Sequence, residues 1–317
     1  MSDNTDCAST TRLASPALLN LHAGALTLEL APAVGGSIAR FYSTQHGHVQ
    51  HWLRPATAAA IAAGDAEGMA SFPLVPFCNR IRQGCASFDG REIALAPNRV
   101  GSPHTIHGIG WRQPWRVTAH DTQSAQLEMT HDGQDWPYRF HAAQLITLHD
   151  DRLTVTIDVE NRDTVPMPLG LGHHPYLPDR RHARLTVDVK AMWGGDAEVM
   201  PTTLQTPPLL QQLRSGVALS EVVQDNNFTG WSHRAQVDWP AVAGRSRAAR
   251  LVLGADAPLD YFVLYSPAEH DFFCIEPVSN CTDWLNLTDH PAEQIGGRVV
   301  APGERARATF WLEPSWP

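Results

Sequence analysis

The segment GLGHHPYLP (170–178) sets two histidines side by side, and FFCIEPVSN (272–280) carries Glu276 inside an apolar, aromatic run. Two other apolar stretches are interrupted in the same way. FPLVPFCNRIRQG (72–84) holds Asn79 and Arg80, and HTIHGIGWRQPW (104–115) holds His107. Glutamate is almost never fully buried unless it is paired or functional. An arginine among apolar neighbours needs a partner or a ligand, because burying its charge alone is very costly. Each cluster taken singly is more often structural than functional. Together they supply one carboxylate, two histidines and an arginine, which is what a general acid/base site requires: one group to take a proton and another to give one.

The spacing limits how these residues can be used. Successive side chains of an extended segment point to opposite faces, so His173 and His174 cannot enter one pocket from a regular strand. His174 precedes a proline and is pushed toward extended backbone. His104 and His107 lie three apart and fall on opposite faces of a strand, which argues against a two-histidine metal clamp. On its strand Glu276 alternates with Phe272 and Cys274, away from Phe273, Ile275 and Pro277, a placement that suits a carboxylate lining a cavity.

The elements that must position these groups read as strands. Short β-branched or alternating runs recur at 26–30, 153–160, 185–189, 249–254, 261–266, 272–278 and 306–314. They are bounded by turn-forming clusters such as FDGRE, HDGQDWP, NRDTVP and TPPLL. The one helical candidate is Pro55 to Gly68, which reads equally as a small-residue loop. Many short strands with turns between them predict an all-β antiparallel sandwich. No fixed-period repeat and no linker divides the 317 residues, so a single large domain over 1–317 is expected, with 1–22 loosely ordered.

Composition narrows the partners. Net charge is −9 with no Lys/Arg cluster, which argues against nucleic acid and against a basic membrane-binding face. No secretory signal and no apolar stretch long enough to cross a bilayer is evident. Five cysteines, an odd number without an export signal, favour reduced thiols and a cytoplasmic protein. Cys78/Cys85 and Cys274/Cys281 share a seven-residue offset, but zinc sites normally use tighter spacing, so these are read as buried structural thiols. Neither a metal nor another cofactor is expected.

The four clusters, in this order, resemble the aldose 1-epimerase (galactose mutarotase) family. PAVGGSIARF (32–41), with its Gly-Gly turn, and DNNFTGW (225–231) extend the likeness, which runs from about Leu26 to Trp311. The resemblance implies a large antiparallel β-sandwich with a sugar-binding cleft across one sheet. It implies Glu276 as general base, His174 as general acid, and His107 as a second histidine beside the sugar ring oxygen. Arg80 and Asp225 correspond to residues that hold sugar hydroxyls, with Asn79 a weaker candidate. His173 is then an off-cleft neighbour. The GIGW and FTGW segments resemble a bacterial branch of broad substrate use rather than the galactose enzymes.

The implied activity is interconversion of the α and β anomers of free aldoses by ring opening, in a monomer or homodimer. An ionised Glu276 and an imidazolium at His174 would flank one hemiacetal, with no cofactor. Three alternatives stand beside it. A hexose-6-phosphate mutarotase needs extra cations at the cleft mouth, for which Arg82 is the one candidate. A metal-dependent isomerase would normally show H-x-H with a nearby glutamate, which is absent. A non-catalytic sugar-binding module would not need an acid/base pair.

Overall fold

The computed structural model describes residues 16–45, 47–243, 245 and 247–317. Two large antiparallel sheets dominate them. The first has nine strands in the order Arg116–His120, Ser124–Asp132, Arg139–Leu148, Leu153–Asn161, Arg305–Ser315, Ala249–Ala255, Arg234–Trp239, Arg184–Val187 and Val217–Ala218. The second has eight. Its path runs Pro201–Gln205, Ala191–Gly195, Gln224–Thr229, Tyr261–Ser266, Phe272–Val278, Gly172–His173 and Pro73–Leu74, and Tyr176–Pro178 also pairs with Phe272–Val278. A four-stranded sheet, Leu19–Ala23 through His48–His51, adds a further flank. The all-β antiparallel sandwich expected from the sequence is the observed architecture.

Burial follows from the side-chain period of two. In Leu153–Asn161 the residues Leu153, Val155, Ile157 and Val159 are buried and the threonines and acids between them are half-exposed. That strand has one face in the core and one near solvent. Phe272–Val278 differs, since every residue from Phe273 onward is buried. One of its faces meets the nine-stranded sheet, where Phe273 packs 6.5 Å from Trp239 between ring centroids. The other face carries Glu276. A strand buried on both faces reads as continuous apolar sequence, which is why a carboxylate within it stands out.

The predicted runs at 261–266 and 272–278 match their strands at both ends, while the run at 185–189 ends early, at Val187. Pro55 to Gly68 contains a short helix, Ala58–Ala63, capped by the Thr57 hydroxyl and closed by Gly64 in the left-handed region, then a 3-10 turn over Ala66–Gly68. Two helices were not anticipated, Leu209–Ser215 and Ala292–Ile295, and both are too short to show a helical period. Of the loosely ordered segment expected over 1–22, residues 1–15, Cys7 included, lie outside the described residues. The rest corrects the expectation, because Leu19–Ala23 pairs along its whole length with Leu26–Ala31 and buries Leu21. Cys78, Cys274 and Cys281 are buried free thiols, but Cys85 is exposed. It sits on a hairpin strand whose alternation turns Ala86 inward and Cys85 out. Among the described residues no helix is long and apolar enough to cross a membrane.

Candidate active site

A pocket opens on the face of the eight-stranded sheet turned away from the nine-stranded one. Cross-strand register builds its floor. Asp225 lies opposite Tyr265, Tyr265 opposite Cys274, and Cys274 opposite Tyr176. In the next row Asn227 lies opposite Val263 and Val263 opposite Glu276. Side chains in such rows share one face, so residues 225, 265 and 276 converge although they are distant in sequence. Asn79, Arg80, His107, His174, Asp225 and Glu276, the six residues expected from the sequence, all line this cavity.

His174 and Glu276 meet directly, Nε2 to Oε1 at 3.3 Å, with side chains only 8% and 3% exposed. The imidazole of His174 packs against two rings that also touch each other, Phe72 at 4.8 Å and Tyr176 at 4.6 Å between centroids, with Phe72 and Tyr176 themselves 6.1 Å apart. Glu276 Oε2 is buried without a hydrogen-bond partner in the protein. Burial raises the proton affinity of Glu276 well above the ordinary carboxylate range, and the charge of Asp225 adds to this while Arg80 opposes it. Burial also lowers the His174 pKa to about 3, with smaller contributions from Arg54, Arg99 and Arg80. Both partners are driven to their uncharged forms. Burial thus disfavours the charged form of each partner, moving the Glu276 carboxyl up and the His174 imidazole down, against the carboxylate and imidazolium that proton transfer at C1 would use.

His107 is held in an unusual way. The strand before it is just Thr105–Ile106, and His107 itself has φ +61°. Asn79 has φ +59°. The two residues brace each other: the His107 amide donates to the Asn79 carbonyl at 2.8 Å, and the Asn79 amide donates to His107 Nδ1 at 3.2 Å. With Nδ1 accepting, the neutral ring carries its proton on Nε2. Burial, His174 and nearby arginines push its pKa well down. His107 is thus a neutral donor whose ring stands 5.1 Å from that of His174 at 90°. His104 and His107 are indeed separate, but through the left-handed turn rather than through strand alternation. His104 Nδ1 accepts from the Gln83 amide at 3.0 Å.

Arg80 donates from Nη1 to Asn79 Oδ1 at 3.0 Å and from Nη2 to Asp225 Oδ2 at 3.2 Å. Arg82 turns elsewhere, toward Asp283 at 3.5 Å and Asp196 at 3.7 Å. His173 points into the sandwich interior. Its Nδ1 lies 2.5 Å from Ser71 Oγ, its Nε2 lies 3.3 Å from Gln144 Oε1, and its ring packs 5.0 Å from Phe310. The two adjacent histidines serve opposite faces of the sheet.

Sequence reasoning missed part of the lining. Phe72, Trp111, Tyr176 and Tyr265 had a readable signal, since each lies inside or beside a quoted motif or strand. Glu67, in the 3-10 turn Ala66–Gly68, and Arg99, in an irregular loop, are paired at 3.3 Å and carried no signal of a role in the site. Buried Asn280 was also missed. It accepts from the Cys78 amide and donates to the Cys78 and Cys281 carbonyls, tying the segment before Asn79 to the strand of Glu276. Among the described residues no group of three or more His, Cys, Asp or Glu side chains converges as metal ligands would.

The sequence profile of the aldose 1-epimerase family matches residues 18–313. The chain belongs to that family. The uncharacterized protein YphB of Escherichia coli K12 is 30% identical over 302 residues, covering 89% of this chain and 97% of YphB. Among solved structures, a candidate aldose 1-epimerase of E. coli K12 aligns with TM-score 0.83 and 26% identity over 95% of this chain and 99% of that one. A galactose mutarotase-like protein of Clostridium acetobutylicum aligns with TM-score 0.82 over 95% of each chain. At 19% identity that second likeness bears on the fold alone.

Proposed function

We propose that this member of the aldose 1-epimerase family is a mutarotase that interconverts the α and β anomers of free aldoses in the cytoplasm. The observation that carries the reading is the buried contact between Glu276 and His174 beside the Arg80–Asp225 pair. A proton passed from Glu276 to His174 across 3.3 Å converts the uncharged pair into carboxylate and imidazolium. Glu276 then takes the proton of the C1 hydroxyl while His174 gives its proton to the ring oxygen. The C1–O5 bond breaks and C1 becomes an aldehyde. Rotation about C1–C2 and the reverse transfers close the ring to either anomer, and the pair regains its starting protons. His107 Nε2–H donates to the ring-oxygen side, and Arg80, Asp225 and Asn79 orient hydroxyls.

Charge around the cavity favours free sugars over sugar phosphates. Arg80 is paired with Asp225 and Arg99 with Glu67, so the lining carries no surplus positive charge. Arg82, the one residue that favoured a phosphate, is engaged by Asp283 and Asp196. A module that only binds sugar has no need of a desolvated carboxyl–imidazole pair, whose burial is costly.

Polarimetry of freshly dissolved α-aldoses tests the reading. Glu276→Gln and His174→Asn should each lose about 10²–10⁴-fold in turnover, whereas folded His173→Asn should keep most of it. Prolonged chelation should leave the rate unchanged. Full activity in folded Glu276→Gln, or a much higher kcat/KM for a 6-phosphate than for the free aldose, would sink the proposal.

A further inference from the structure

The aromatic cluster around His174 is bordered on its Tyr176 side by a cation. Beyond Phe72 lies Trp111, stacked on it at 5.2 Å and 27°. Beyond Tyr176 lies Arg54, whose guanidinium carbon sits 3.9 Å from the centre of the Tyr176 ring. Arg54 is fixed in place: its backbone amide donates to the Tyr176 carbonyl at 2.8 Å, and its Nη2 donates to the carbonyls of Glu67 at 2.6 Å and Met69 at 2.8 Å. These acceptors are neutral, and among the described residues no carboxylate forms an ion pair with it. Arg80 and Arg99, the other cations near the site, each have one.

We propose that Arg54 is a positioning residue for His174, one that orients Tyr176 against the imidazole and sets the charge state of that imidazole from the far side of the phenol ring. This rests on the acid/base reading of His174 given above. The two distances from the Tyr176 ring, 3.9 Å to the guanidinium and 4.6 Å to the imidazole, bring the charge within about 9 Å of the imidazole. Among the described residues no ion pair cancels its charge, and the Tyr176 ring rather than a carboxylate lies next to it. At an effective dielectric constant of about 20, a unit charge at that distance changes proton affinity by about tenfold. Other groups face His174 as well: Glu276 in direct contact, His107 edge-on, His173 next in the chain, and Arg80 and Arg99 across the cavity. The two cavity arginines act as members of neutralised pairs, and the two histidines are neutral in the resting state. Arg54 is therefore the unbalanced charge acting on the pair. It favours the form in which His174 is free to accept the proton of Glu276, and it opposes a second proton on the pair.

The test compares Arg54→Gln, which keeps an amide to donate to the two carbonyls but removes the charge, with Arg54→Lys, which keeps the charge. The protonation of His174 is followed by ¹⁵N NMR of its ring nitrogens across a range that includes its lower step near pH 3, and the pH–rate profile is recorded in parallel. Arg54→Gln should move both protonation steps of the pair up by about one pH unit, a tenfold change in proton affinity, and Arg54→Lys should stay with the wild type. A titration of Arg54→Gln that superposes on the wild type overturns the proposal. So does an equal shift in Arg54→Lys, which would mean that packing rather than charge is responsible. If Arg54→Gln does not fold, Arg54→Met, which covers the Tyr176 ring with a neutral chain, takes its place. The NMR result stands whether or not any aldose is turned over, so failure of this inference is distinguishable from failure of the mutarotase reading.

Discussion

Burial moves the proton affinities of Glu276 and His174 in opposite directions, and this shapes the expected pH dependence. Loss of activity at low pH requires a second proton on the pair, and burial has pushed the His174 pKa down to about 3. Loss at high pH requires removal of the last proton, and burial holds that proton on Glu276 well above the ordinary carboxylate range. The two apparent values belong to the pair rather than to either residue. The expected profile is wider on both its acid and its alkaline side than ordinary groups would give. An unperturbed carboxylate and imidazole would instead give a narrow bell between about 4.3 and 6.5. A kcat/KM profile from pH 4 to 10 distinguishes the two, and a sharp maximum near pH 5.5 would show that the resting pair is ionised. Arg80 makes a separate prediction at this scale. It is tied to Asn79 and Asp225 rather than to the pair. Arg80→Ala should therefore raise KM and also lower kcat through poorer alignment, while the fold survives. Unchanged kinetics in folded protein would reduce it to a structural ion pair.

At the scale of elements, the site depends on loops held by close backbone approach. Gly35, in the turn between Leu26–Ala31 and Ser37–Gln45, has φ +65°, and a Cβ there would lie 1.9 Å from the Trp111 carbonyl oxygen. Only glycine lets that turn support the segment carrying His107 and Trp111. Gly35→Ala should cost at least about 1 kcal/mol in stability and disturb turnover through His107, measured by thermal unfolding and polarimetry. A variant with wild-type Tm and rate would mean that the turn can retreat freely. This element also shows what the sequence makes legible. The Gly-Gly turn, the arginine after Asn79, H-G, H-P-Y and E-P are local patterns, and each marks a break in apolar patterning that chemistry or tight geometry demands. Asn280, Glu67 and Arg99 act through partners more than 30 residues away or from irregular loops, so no local period betrays them. The shifted proton affinities of the Glu276–His174 pair were likewise hidden. Burial sets them, and burial depends on how the flanking rings stack.

For the whole molecule, the adjacent histidines link the cleft to the sandwich interior, and the interior member controls acid stability. His173 is fully buried between the sheets, with Ser71 on one nitrogen and Gln144 on the other. Gln144 in turn donates from Nε2 to the Gly36 carbonyl at 3.0 Å. The chain from Ser71 through His173 and Gln144 to Gly36 is satisfied with a neutral imidazole. Burial, with His174 nearby, lowers the His173 pKa to about 3. In the unfolded chain a histidine titrates near 6.5. Between those values the unfolded state binds a proton that the folded state does not, so stability is full above pH 6.5 and falls as the pH drops toward 3. The loss is at most about 1.4 kcal/mol per pH unit for one histidine. His174 adds a parallel loss over the same window. Glu276 acts in the opposite sense. Its raised pKa means that the folded state holds a proton the unfolded chain releases, so its contribution is largest at low pH and fades as the pH rises past the ordinary carboxylate range. The variant His173→Gln, which keeps a hydrogen-bonding side chain but cannot take a proton, isolates the first effect. Urea unfolding from pH 7 to 4 should give a stability slope for His173→Gln that is shallower than the wild type by about one bound proton, whatever its absolute stability at pH 7. Parallel slopes for the two proteins would mean that His173 is protonated in the folded state, and that the Ser71–His173–Gln144 chain does not hold the ring neutral.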